Sequence, residues 1–151
     1  MSIALTFHLL GVIIWVGGIF FSHVVLRPAL NDQLEPDLRL LFLLRVFDGF
    51  FPWVWGAVIA ILGSGFWLMF TRFEDAIPFW LSFMATAGTL MAGIFVFVYA
   101  IPYHQFSEAL KAGDKLRVVS SITLIRKLIL INLGLGMLIT LVVLFGKYGL
   151  F

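Results

Sequence analysis

The sequence predicts an all-α membrane protein, an antiparallel four-helix transmembrane bundle with both termini outside. Three observations predict it. Hydrophobic residues make up 62% of the 151 residues and charged residues only 12%, and the mean hydropathy is +1.11; a water-soluble domain is about half apolar and about a quarter charged. Four stretches without Asp, Glu, Lys or Arg are each long enough to cross the hydrocarbon core as a helix, which takes about 20 residues. The basic residues are divided unequally between the two sides that four crossings define. The length suits one integral membrane domain over residues 1–151. A soluble enzyme, a disordered tail and a nucleic-acid binder are excluded. The net charge of +2 needs no nucleic acid to explain it.

The first span is expected at about residues 3–26. No charged side chain, basic leader or small-residue cleavage site occurs in it, so it reads as a retained helix and not a signal peptide. Arg27-Pro28 is expected to end it, because proline disfavours helical geometry in the residue before it. A short interfacial helix follows at about 37–47, where Leu38, Leu41 and Val46 stand among polar neighbours. The second span covers about 50–71, with Asp48 as its cap and Pro52 in its first turn. The third covers about 77–103 and continues to Ala112, with a kink expected at Pro102 near the membrane surface. Gly113 then stops the helix and Asp114 caps the next. The fourth span covers about 128–146. A β-barrel is ruled out by the lack of short alternating segments.

Orientation follows from a count. Arg27, Arg39, Arg45, Lys111, Lys115, Arg117, Arg126 and Lys127 lie on one side, and only Arg72 and Lys147 on the other. Basic loops stay in the cytoplasm, so both termini are expected outside. Trp53, Trp55 and Tyr103 would mark the cytoplasmic interface, and Trp67, Trp80 and Tyr148 the outer one. Helices associate in lipid through close approach at small residues. Four stripes are suited to that: His8, Gly11, Trp15, Gly18 and Ser22; Gly56, Ala60 and Ser64; Ala85, Thr89 and Gly93; Asn132, Gly136 and Thr140.

Few residues can carry chemistry. There is no cysteine, so disulfides, thiolate metal sites and a cysteine nucleophile are excluded. No carboxylate or lysine lies inside a span, which argues against a buried proton relay. His8 is the leading metal candidate, on the packing stripe and towards the outer side. The ordinary alternative is a core histidine bonded to a neighbouring helix. Met69, Met84 and Met137 fall in the same outer half, and thioether with imidazole suits Cu(I); methionine is equally a common gap-filler in apolar cores. Ser64 and Thr86 could support such a site. His23 and His104 share the cytoplasmic side, where a bis-imidazole haem site is conceivable beside the plainer reading of interfacial histidines. Arg126 and Lys127 are placed to meet lipid phosphates.

The run HLLGVIIWVGG from His8 to Gly18, followed by LRP at Leu26 to Pro28, resembles the copper resistance protein D (CopD) family, in its small four-span members. The matching positions are His8, Trp15, Gly17 and Gly18. The stretches RVFDGFFPWVWGAVIAILGSG and IRKLILINLGLG are similar to that family's second and last helices. The resemblance implies copper handling in the inner membrane, with periplasmic copper proteins as partners. HemJ-type protoporphyrinogen oxidases share the four-span plan and the first-helix histidine, bind haem b and use a third-helix lysine. The third span here contains no lysine, which counts against the porphyrin enzyme. Three functions are therefore expected in order: copper binding or transport, an accessory subunit of a larger membrane complex or a homo-oligomer, and a haem b redox protein. If the chain is an enzyme, it belongs to the last class.

Overall fold

A computed structural model describes residues 2–72 and 76–149. Among them there is no strand. Four helices are long and apolar enough to cross a membrane: α1 Ile3–Gln33, α2 Pro36–Arg72, α3 Phe79–Ala112 and α4 Lys115–Lys147. They form an all-α four-helix membrane bundle. At 31 to 37 residues each, they measure about 47–56 Å at 1.5 Å per residue. The hydrocarbon core is about 30 Å thick. The excess lies at the end of the first and third connections, where α1 and α2 meet at Leu34-Glu35 and α3 and α4 at Gly113-Asp114.

Proline does not end α1. Arg27 keeps helical dihedrals, and its N–H reaches back to the Ser22 carbonyl across a wide π turn at Phe21–Leu26. A proline ring crowds the carbonyl four residues earlier and brings no N–H. Widening the preceding turn relieves both problems, and the helix continues to Gln33. At Pro102, where the sequence predicts a kink, α3 carries a π turn at Tyr99–Tyr103. A third π turn occupies Ile13–Gly17 of α1.

Residues 37–47 are continuous with the second span, so α2 is one 37-residue helix with Pro52 inside it. Asp48 therefore caps nothing. Its carboxylate accepts a hydrogen bond from the Tyr103 hydroxyl of α3. The turn between α3 and α4 follows the sequence: Gly113 takes φ +71°, Asp114 N–H bonds to Ala109, and the Asp114 carboxylate accepts the Arg117 N–H at 3.1 Å.

The core is aromatic in its middle. Trp15 meets Phe95 edge-on at 6.2 Å, Phe51 stacks on Phe47 at 5.2 Å, and Tyr103 stands edge-on to Phe51 at 4.9 Å. Trp55 lies edge-on to Phe95 at 5.2 Å. Trp55 and Tyr103 thus join the core ladder, while Trp53 is exposed.

Two of the four small-residue stripes pack inward for most of their length. Gly11 and Trp15 of α1 are buried, as are Asn132 and Gly136 of α4, while Thr140 at the end of the α4 stripe is exposed. In α3 the inward face is Leu81, Ala87, Met91, Ala92, Phe95 and Val98, while Thr89 and Gly93 are exposed. A close helix contact needs small residues on one side only. Gly136 provides the hollow, and the Met91 methyl group lies 3.3 Å from where a Cβ on Gly136 would stand. In α2, Gly56 is exposed and the inward face runs through Val54, Ala57, Val58 and Ser64.

Candidate functional site

The N-terminal half of α1 packs along α2, and Gly11 makes that approach close. A Cβ there would stand 2.8 Å from Ile61 Cγ1 and 3.0 Å from the Ala57 carbonyl oxygen. One turn nearer the terminus, His8 is set into the same seam. Its Nδ1 is 3.1 Å from the Ile61 carbonyl oxygen and 3.2 Å from the Ser64 hydroxyl. The Ser64 hydroxyl itself donates to the Ala60 carbonyl. A carbonyl only accepts, so the ring proton sits on Nδ1. Gly65 gives the ring its room, since a Cβ at 65 would lie 3.1 Å from His8 Cε1.

This arrangement fixes the tautomer. With Nδ1–H held by α2, the neutral ring carries its lone pair on Nε2. Metal-binding histidines are oriented in this way, by a carbonyl or carboxylate on the nitrogen that does not ligate. Ser64, which the sequence offers either as support for such a site or as a packing residue, lies against the His8 ring. Thr86, marked beside it, is exposed on α3 and lies on the other helix pair. The Ile61 carbonyl has no signature in sequence, because any residue supplies one.

The three methionines stand on three different helices. Met69 stands one turn beyond Gly65 on α2 and is half-buried. Met84 and Met137 belong to α3 and α4, which pack on each other in this half of the bundle. Met84 is half-buried, and Met137 is 53% exposed. The methionine most deeply buried is Met91, whose backbone carbonyl accepts from Asn132 Nδ2 at 3.2 Å. Among the described residues, no group of three or more His, Asp or Glu could hold a metal ion.

The two remaining histidines have different surroundings. His23 is half-buried on α1, within the field of Arg27 and Arg126. His104 is exposed on α3, its ring 5.3 Å from that of Tyr99. Between the helices, Trp15, Ser22, Phe51, Phe95 and Asn132 border a cavity of about 30 Å³. The Asn132 Oδ1 atom is buried and has no hydrogen-bond partner. The cavity has room for a water molecule.

No protein-family model matches this chain, and neither a curated protein nor a solved structure does.

Proposed function

We propose that the protein handles copper in a bacterial inner membrane, binding Cu(I) at the end of the bundle that carries both chain termini. His8 Nε2 is the ligand, and the Met69 thioether, one turn along the facing helix, is the second donor. The observation that carries this reading is the His8 Nδ1–H bond to the Ile61 carbonyl, which leaves the imidazole lone pair on Nε2. Cu(I) is a soft ion suited to imidazole and thioether donors. The resemblance to the CopD family supports the same ion. The excess of basic residues at the opposite end supports a periplasmic location for the termini, and for His8 with them, where a periplasmic copper protein would be the donor or acceptor. Met84 and Met137 stand on the other helix pair and are left out of the site.

Competition titration of the purified, detergent-solubilised protein against a Cu(I) chelator tests the proposal. Wild type is expected to take up one equivalent. His8→Ala should lower the affinity at least about tenfold, and Met69→Leu by less. Unchanged affinity in His8→Ala removes the site. A Soret band in the same preparation would favour the haem reading instead.

A second reading has its own support. Gly49, Gly56 and Gly63 recur every seven residues on α2, all exposed, with nothing within 4 Å of where a Cβ would stand. Small residues on a lipid-facing stripe allow another helix to approach closely. An accessory subunit or homo-oligomer would use that face. Co-purification of a second membrane protein, or a crosslinked dimer lost in Gly56→Leu, would favour this reading.

A further inference from the structure

Three arginines from three helices gather at the basic end of the bundle. Arg27 follows the last apolar residue of the first span, Arg126 sits just before the fourth, and Arg39 stands in the opening turn of α2. All three are half-buried. Each Nε atom is buried and makes no hydrogen bond. Among the described residues, the one hydrogen bond any of these side chains makes is from Arg39 Nη2 to the Leu34 carbonyl at 3.2 Å. Among the described residues no carboxylate pairs with them, and Asp32, Glu35 and Asp37 of the same connection are exposed. Arg126 lies in the field of Arg27 and Arg39. His23, one turn before Arg27, lies in the field of Arg27 and Arg126.

Like charges held together half out of water need an anion. Arginine's planar fork matches phosphate oxygens in pairs, and three forks on different helices can hold one group from three directions. The depth agrees, because Arg27 and Arg126 both border apolar spans, at the level of lipid headgroups. Basic pockets between transmembrane helices on the cytoplasmic side bind anionic headgroups.

We propose that Arg27, Arg39 and Arg126 form a phosphate-binding site between α1, α2 and α4 at the membrane surface, filled by the headgroup phosphate of an anionic lipid or by a soluble phosphate. It is independent of the copper reading and lies at the opposite end of the bundle from His8.

The test reconstitutes the full chain in phosphatidylcholine doped with phosphatidylglycerol. Lipids retained on mild detergent release are counted by native mass spectrometry. In parallel, the protein in detergent is titrated with inorganic phosphate. Wild type is expected to retain phosphatidylglycerol over phosphatidylcholine. Arg27→Gln and Arg126→Gln should each weaken that preference about fivefold, the effect of one basic charge at a membrane surface. Arg117→Gln, an exposed charge on the same side, should not. Phosphate binding that Arg126→Gln abolishes, without lipid preference, assigns the same guanidiniums to a soluble phosphate. If Arg126→Gln loses its helical signal, Arg27→Gln and the charge-keeping Arg126→Lys decide the matter, the latter with an intermediate loss. Neither lipid preference nor phosphate binding in wild type overturns the proposal, as does an equal loss in Arg117→Gln.

Discussion

A histidine in an apolar helix must give its ring proton to something. In this chain it goes to a carbonyl of α2, and a serine hydroxyl 3.2 Å away shares it. Ser64→Ala should keep the bundle folded and weaken Cu(I) binding about tenfold, as loss of a residue behind a metal ligand does; chelator competition reads this directly. A second polar contact between helices, Tyr103 to Asp48, predicts that Tyr103→Phe lowers stability by about 1 kcal/mol. Denaturant titration in detergent measures it. At this scale His8 and Ser64 were legible, because a polar side chain in an uncharged stretch has to be accounted for. Asp48 was read as a cap, since aspartate ahead of an apolar run is a common helix start. The helix simply passes through it, and nothing in the sequence pointed Asp48 at a tyrosine 55 residues away.

At the level of single helices, the sequence showed where each apolar run lies but not which way it faces. Lipid tolerates a small residue as readily as a large one. Thr89 and Gly93 could therefore be read as a packing face, while the real face of α3 is built from Leu81, Met91 and Phe95. The interface with α4 takes its hollow from Gly136, and α3 is free to supply the bulk. Gly11 is the opposite case, with backbone at 3.0 Å from its missing Cβ. Gly11→Val should separate α1 from α2 and destabilise the protein by about 1–3 kcal/mol, with Cu(I) affinity falling alongside. Thermal unfolding in detergent checks the first effect. Gly113 has positive φ, so Gly113→Ala should cost about 1–2 kcal/mol, with no effect on copper.

For the molecule as a whole, the fold class was legible because composition and span length leave no alternative for a chain this apolar. How the helices associate was not. In the terminal half, α1 packs with α2 and α3 with α4, a division that separates His8 from Met84 and Met137 and that no hydropathy profile contains. The inferred orientation makes a direct prediction. The natural chain has no cysteine, so Tyr148→Cys and Lys111→Cys each introduce a single thiol. A membrane-impermeant maleimide applied to intact spheroplasts should label the first and reach the second only after lysis.

The π turns of α1 carry a consequence for how this helix tolerates change in length. Each accommodates one spare residue by bulging, without twisting the flanks out of phase. Deleting exposed Val24 from Phe21–Leu26 should therefore let the bulge relax into an ordinary turn, with His8 still against α2 and the copper affinity kept. Deleting exposed Ile59 from α2, an α-helix without a π turn, has no such slack to draw on, and turns Ser64 by about 100° away from His8.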